Sequence, residues 1–203
     1  VFFAIAANFG YMFSLAVSGL FIPFEPLLAS QILLVNLLAD FPAMALATDR
    51  VDPEQVAQPT RWDTQFLVRF MLSFGLASSF FDFLTFGAMY WLFRSLSNSQ
   101  PETFEHLFQT GWFMESTLTG LVILLAIRTQ RPLLRSRPGR LFLFAEVAVA
   151  MVTLAIPFTP LGKLMGFVQP PALLVLATIV ITVLYGVGME VVKSAFYRHV
   201  MRI

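Results

Sequence analysis

Residues 27–47 read LLASQILLVNLLADFPAMALA, a stretch in which only Gln31, Asn36 and Asp40 carry strongly polar side chains. A helix of about 20 mostly apolar residues is long enough to cross the hydrocarbon core of a bilayer. The stretch therefore predicts a membrane-spanning helix that carries an amide and a carboxylate deep within it.

The composition of the whole chain agrees with this prediction. Of its 203 residues, 58% are hydrophobic and 12% are charged, whereas a soluble domain has about 25% charged residues. A water-soluble domain is therefore excluded. The net charge of +1 gives no basic excess that would indicate a nucleic-acid partner. The chain has no cysteine, which excludes disulfides and thiolate metal sites.

Apolar stretches recur along the chain between polar, Pro-rich or Arg-rich segments. They predict an all-α membrane protein, a bundle of six transmembrane helices that forms one domain over residues 1–203. The spans are expected at about 2–22, 27–47, 66–93, 110–128, 141–157 and 172–193. The very short connection PFEP at residues 23–26 predicts that the first two spans pack as an antiparallel hairpin. Since the chain begins with Val1 and has no basic signal-peptide start, we interpret it as part of a longer protein.

Basic residues are concentrated in the loops of one side. The loops 48–65 and 128–140 and the C-terminal tail would contain, together with Arg69, all 13 basic residues except Arg94 and Lys163. Cytoplasmic loops of membrane proteins carry an excess of Lys and Arg. Both ends of the chain are therefore predicted to be cytoplasmic. Trp62, Trp91 and Trp112 fall near predicted span ends, where an indole anchors a helix at the membrane interface.

The polar residues of the second span form a candidate cation site. Asn36 and Asp40 are spaced i, i+4 and share one helix face. Pro42 has no N–H for the carbonyl of Leu38, so the helix is expected to loosen beside the carboxylate. Asn8 on the first span supplies a third oxygen, and such oxygens suit a hard cation. The alternative is structural, with Asn8 and Asn36 hydrogen-bonded across the hairpin and Asp40 protonated.

Other ionisable groups within spans are functional candidates because they are costly in lipid. Asp82 is predicted to lie in the middle of the third span, and Glu115 about one turn into the fourth. Either residue could line an ion pathway or hold helices together. Glu146 and Glu190 lie near span ends and are expected to pair with Arg or Lys or to extend towards the headgroups. His106 is expected in an outer loop and His199 in the tail, without the clustered ligands of a transition-metal site.

Several segments resemble P-type ATPases. Residues 8–10 (NFG), 34–40 (LVNLLAD) and 49–52 (DRVD) are similar to the fifth and sixth membrane helices of that family. Further matching segments are most like the magnesium-transporting branch: 61–63 (RWD), 69–71 (RFM), 78–82 (SSFFD), 109–113 (QTGWF), 128–130 (RTQ) and 156–162 (IPFTPLG). The resemblance covers nearly the whole chain and implies the fifth to tenth membrane helices of a pump.

The resemblance implies that Asn8, Asn36 and Asp40 bind the transported ion. Calcium pumps of the family usually have a carboxylate at the position of Tyr11 and a hydroxyl at that of Ala39. Fewer protein ligands suit Mg²⁺, which keeps several of its waters. Mg²⁺ is thus the expected transported ion.

The family's DKTGT phosphorylation motif and its nucleotide-binding domain do not occur in these 203 residues. The resemblance therefore implies no catalytic residue here. ATP and its Mg²⁺ would be bound by domains in the amino-terminal portion of the same pump. That portion and the lipid bilayer are the expected partners, and a bacterial inner membrane is the expected location.

Two other functions are compatible with the same carboxylates. A gradient-driven secondary transporter or channel could use Asp40, Asp82 and Glu115 as an ion path, although such folds often have broken helices in matching halves and only one is expected here. An intramembrane aspartyl protease could use Asp40 and Asp82 as a dyad. However, Phe80 and Phe81 stand before Asp82, where a glycine-rich turn would be required.

Overall fold

A computed structural model describes residues 2–49, 64–93 and 101–200. Within those ranges the chain forms helices joined by loops and contains no strand. The helices are α1 (Phe2–Phe21), α2 (Ala29–Ala45), α3 (Thr64–Phe93), α4 (Pro101–Ile127), α5 (Arg140–Ala155), the short α6 (Pro160–Leu164) and α7 (Ala172–Val200), with 3-10 turns at Leu46–Thr48, Leu133–Arg135 and Ile156–Phe158.

The all-helical membrane architecture is confirmed. In the described part of the chain, five helices (α2, α3, α4, α5 and α7) are long and apolar enough to cross a membrane, and α1 adds a shorter apolar helix over Ala6–Phe21. Trp62, Arg94 and Arg202 lie outside the described residues. The order of the helices and their approximate positions agree with the six predicted spans.

The start of the fourth span was predicted wrongly. Helix α4 begins at Pro101 and not near residue 110. Proline is favoured in the first turn of a helix because its missing N–H would have no helical partner there, and Glu102 complements the positive end of the helix dipole. His106 is consequently part of α4, and Glu115 lies in the middle of this helix.

Helix α4 is the centre of the bundle. It contacts α1, α2, α3, α5 and α7, and 72% of its apolar segment is buried, against 22–33% in the other four spans. Trp112 is completely buried there, with its ring centroid 4.7 Å from that of Phe86. The expectation that Trp112 is an interfacial anchor is therefore wrong, because the longer α4 moves it into the core. Trp91 is exposed at the end of α3, as predicted.

The first two helices do not form the closely packed hairpin that the short connection predicts. Helix α1 packs mainly along α3, whereas α2 packs against α4 and α5. At the α1–α3 contact the backbones approach so closely that a Cβ added to Gly10 would lie 2.8 Å from the Gly75 carbonyl oxygen. The connection is short, but the two helices diverge.

Helix α2 is less disturbed by its proline than expected. It stays helical through Pro42 to Ala45 and then tightens into the 3-10 turn at Leu46–Thr48. Pro42 cannot donate to the Leu38 carbonyl, yet the helix is not broken at that point. The turn ends at Asp49, whose carboxylate contacts the loop between α4 and α5. Asp49, the last described residue before the first Arg-containing loop, therefore contacts the Arg-rich loop 128–140.

Candidate functional site

A cavity of about 330 Å³ lies between the diverging helices α1 and α2. Helices α3, α4 and α7 complete its walls. The polar residues that line it are Asn8, Tyr11, Asn36, Asp40, Ser78, Asp82, Ser116, Thr117, Thr119 and Tyr185. The structure thus brings the three predicted ion ligands together with Tyr11 and with Asp82, one of the two candidate pathway carboxylates.

Asn8, Asn36 and Asp40 present oxygens that are not used for internal hydrogen bonds. Among the described residues, none of the three side chains has a hydrogen-bond partner, so the predicted alternative of an Asn8–Asn36 bond across the hairpin is absent. Asn8 and Asp40 are exposed and Asn36 is half-buried, so the cavity is open on this side. Helical spacing explains why Asn36 and Asp40 share a face, and the divergence of α1 from α2 leaves room beside them.

Asp82 lies on a buried part of the cavity wall. Its Oδ2 accepts a hydrogen bond of 2.5 Å from Ser14 Oγ. Both side chains are buried, at 4% and 0% exposed. Tyr11 stands beside this pair, and its hydroxyl is buried without a hydrogen-bond partner in the described chain. The cavity therefore has one carboxyl group on its open side and one on its closed side.

Glu115 does not line the cavity. It is completely buried on α4, close enough to Asp82 for the two carboxyl groups to interact. Neither of its carboxyl oxygens has a hydrogen-bond partner among the described residues. The same holds for the indole N–H of Trp112, one turn away. Glu115 therefore belongs to a buried polar layer behind the wall of the cavity.

The charges around the cavity have one sign. Its described lining contains Asp40 and Asp82 and no Lys, Arg or His. Within the described ranges no group of three or more His, Cys, Asp or Glu side chains is placed to hold a metal ion. The site is thus acidic but does not form a closed cage of carboxylates.

The hydroxyl groups on α4 and α7 that line the cavity were not predicted from the sequence. Thr117 and Thr119 donate hydrogen bonds of 2.8 and 2.9 Å to the carbonyls of Phe113 and Glu115 within α4. Their oxygens remain able to accept from water or to bind a cation. The available signal was the cluster ESTLTG at residues 115–120, which is unusually polar for the middle of an apolar span.

The two carboxylates near span ends have different environments. Glu190 pairs with Lys193 at 2.5 Å, as expected. Glu146 was expected to extend towards the headgroups or to pair with a basic residue. It is buried and interacts electrostatically with the Arg128 guanidinium, in line with the second expectation, although its oxygens have no hydrogen-bond partner in the described chain. The reason is the packing of α5 against α2 and α4, which places Glu146 on the inner face of its helix.

Comparison with known proteins agrees with a membrane region of a cation transporter. Residues 24–195 match the family described as "Cation transporting ATPase, C-terminus". A magnesium-transporting ATPase, P-type 1, from Escherichia coli K12 is 42% identical over 159 residues, which is 78% of this chain and 17% of that protein. One from Salmonella typhimurium LT2 is 38% identical over 194 residues, 95% of this chain and 21% of that protein.

This chain spans about a fifth of the length of the curated relatives that it matches. The family match extends over most of the chain, from the connection after α1 to the last turns of α7. The helical architecture, the polar residues within the helices and the matched segment all indicate the same family. The chain therefore belongs to the P-type cation-transporting ATPases, in which it corresponds to the C-terminal membrane region of the magnesium-transporting type.

Proposed function

We propose that this chain is the membrane part of an ATP-driven magnesium transporter and that the cavity between α1 and α2 binds the transported ion. The observation that carries the proposal is the convergence of Asn8, Asn36 and Asp40 on one cavity. Their oxygens have no other hydrogen-bond partner in the described chain. Two amides and a carboxylate are suitable ligands for a hard divalent cation.

The size of the cavity supports a partly hydrated ion. Mg²⁺ loses its water reluctantly and is usually bound by one or two carboxylates while it keeps several waters. Six waters occupy about 180 Å³ at roughly 30 Å³ each, and the cavity measures about 330 Å³. The hydroxyls of Ser116 and Thr119 would then contact the waters of the ion, while Asp40 contacts the ion itself.

Asp82 and Tyr11 form the inner wall of the ion path in this proposal. Asp82 is buried in the cavity wall and Asp40 is exposed, so an ion that moves inward from Asp40 would pass from one carboxyl group to another. Glu115 lies behind that wall, and we assign it a structural role. The cavity is open beside Asn8 and Asp40, and a ligand from the amino-terminal portion of the pump can complete the ion's coordination there.

Location and energy source follow from the family. We propose that both ends of the chain are cytoplasmic, in a bacterial inner membrane, because the loops and tail predicted for one side carry most of the basic residues. ATP and its Mg²⁺ would be bound by domains in the amino-terminal portion of the pump. Hydrolysis would change the cavity through α1, which is continuous with that portion.

The test uses the complete pump that contains this chain, reconstituted in vesicles. ATPase activity is titrated with free Mg²⁺ at a fixed MgATP concentration. We expect Asp40→Asn to raise the Mg²⁺ concentration for half-activation at least tenfold, since a contact with a charged group is worth about 1.5–3 kcal/mol. Glu190→Gln is the matched control, because it neutralises a carboxylate outside the cavity.

Two outcomes would contradict the proposal. If Asp40→Asn shows the same Mg²⁺ activation as wild type, the transported ion does not bind in this cavity. Mg²⁺ uptake driven by an ion gradient without ATP would favour the secondary transporter instead.

A further inference from the structure

A polar junction joins three segments of the chain at the end of α2. The Arg128 guanidinium donates from Nη1 to Asp49 Oδ2 at 3.0 Å and from Nη2 to the Ser136 carbonyl at 2.7 Å. The second oxygen of Asp49, Oδ1, accepts from the backbone N–H of Gly139 at 2.5 Å. Asp49 follows α2 and its 3-10 turn, Arg128 follows α4, and Gly139 immediately precedes α5.

This junction is buried, although it lies in connecting loops. The side chains of Arg128 and Asp49 are 1% and 7% exposed. Both oxygens of Asp49 are used, so removing Arg128 or Asp49 leaves an uncompensated charge in a site with little water. The fit is close, since a Cβ added to Gly139 would lie 3.1 Å from Asp49 Oδ1 and 3.3 Å from the Thr48 carbonyl oxygen.

The opposite end of α2 is also fixed by hydrogen bonds. Gln31 is completely buried, its Nε2 donates to the Met165 carbonyl at 2.9 Å, and its Oε1 accepts from the Leu28 N–H at 3.0 Å. Helix α2 is thus held at both ends, and Asn36 and Asp40 lie between the two attachments. Along its length it packs on α4 and α5 and diverges from α1, so no close contact with α1 fixes the side that faces the cavity.

We propose that Asp49 is a positioning residue for the cation site: by holding the end of α2 to Arg128 and Gly139, it keeps Asn36 and Asp40 oriented towards the cavity. The proposal rests on the proposed function, because it concerns the geometry of the same ligands. Asp49 does not contact the ion. Its effect on binding depends on the fraction of molecules in which α2 has the binding orientation.

The test measures Mg²⁺ binding to the complete, purified pump in detergent without nucleotide, by titration calorimetry. We expect Asp49→Ala to raise the Mg²⁺ Kd about tenfold. This factor follows if α2 keeps the binding orientation in only about a tenth of the molecules. Arg128→Ala should give a similar rise. The double variant should be little worse than either single one, because both act through one contact.

Rescue and controls separate positioning from general damage. Asp49→Asn keeps an oxygen for the Gly139 N–H and loses the charge, so it should bind Mg²⁺ better than Asp49→Ala. Affinity for MgATP should stay within twofold of wild type in every variant, since none of the substituted residues belongs to the nucleotide-binding domain that the family carries outside this chain. Glu190→Gln, which removes a charge of the Glu190–Lys193 ion pair, should leave the Mg²⁺ Kd unchanged.

The outcomes distinguish this inference from the proposed function. If Asp40→Asn weakens Mg²⁺ binding and Asp49→Ala and Asp49→Asn bind like wild type, the positioning role is wrong and the cation site stands. If Asp40→Asn itself binds like wild type, the proposed function is wrong. If Asp49→Ala does not fold, Asp49→Asn decides, and an unchanged Kd or a parallel loss of MgATP affinity in that variant overturns the inference.

Discussion

Ser14 on α1 and Asp82 on α3 are joined by a hydrogen bond of 2.5 Å that lies within the bundle, with both side chains buried. It connects the helix that carries Asn8 to the helix that forms the inner wall of the cavity. The Asp82 carboxyl also lies close enough to Glu115 and Trp112 of α4 to interact with them. The Ser14–Asp82 pair therefore fixes the packing of α1 on α3 and also the position of a carboxyl group in the cavity wall.

Ser14→Ala should destabilise the membrane domain by about 1–3 kcal/mol, because it removes a hydrogen-bond donor from a buried carboxyl group. The measurement is the thermal stability of the complete pump in detergent, followed by size exclusion. Ser18→Ala is the matched control. Within the described ranges Ser18 Oγ donates to the Leu15 carbonyl of its own helix and to no other helix, so its removal should have a smaller effect. Equal stability of the two variants would show that the Ser14–Asp82 bond contributes nothing specific.

Asp40→Ala should weaken Mg²⁺ affinity more than Asn36→Ala does. The carboxylate supplies a full charge and the amide only a dipole, and bonds to charged groups are about twice as strong as neutral ones. Titration of ATPase activity with free Mg²⁺ measures the difference. Equal half-activation concentrations for the two variants would contradict these ligand roles.

Glu115→Gln should leave Mg²⁺ half-activation within twofold of wild type and should not lower stability. Glu115 is completely buried, lies outside the cavity lining, and lacks a hydrogen-bond partner in the described chain. Replacing a buried ionisable group by a neutral one of the same shape removes a desolvation cost. Thermal stability and Mg²⁺ titration together test this. A large loss of Mg²⁺ activation would instead place Glu115 on the ion path.

Gly10→Ala should destabilise the pump by about 1–3 kcal/mol through overpacking. A Cβ at this position would meet the Gly75 carbonyl oxygen at 2.8 Å and Ser78 Cβ at 3.1 Å. Gly19→Ala on the same helix is the control, because a Cβ there meets nothing within 4 Å. That control should be neutral or stabilising by about 0.5–1 kcal/mol, since alanine favours the helix. Similar stability of both variants would argue against tight α1–α3 packing.

The sequence was informative about Asn36 and Asp40 because their placement depends only on helical periodicity. It was misleading about Trp112 and Glu115, since the charged residues Glu102 and Glu105 made the first part of α4 look like a loop. Those residues belong to the helix, and the shift moves Trp112 from the predicted interface into the core. The divergence of α1 from α2 could not be predicted either. It depends on the fit of α1 to α3 through Gly10 and Gly75, which are far apart in the sequence.

The acidic lining of the cavity has a consequence for what can enter it. With Asp40 and Asp82 in the wall and no cationic side chain in the described lining, the electrostatic potential inside is negative, and low-dielectric surroundings strengthen it. An anion of the same size is repelled before it reaches any ligand, whereas the local concentration of divalent cations is raised. Discrimination by charge therefore acts on approach, ahead of any discrimination by coordination geometry.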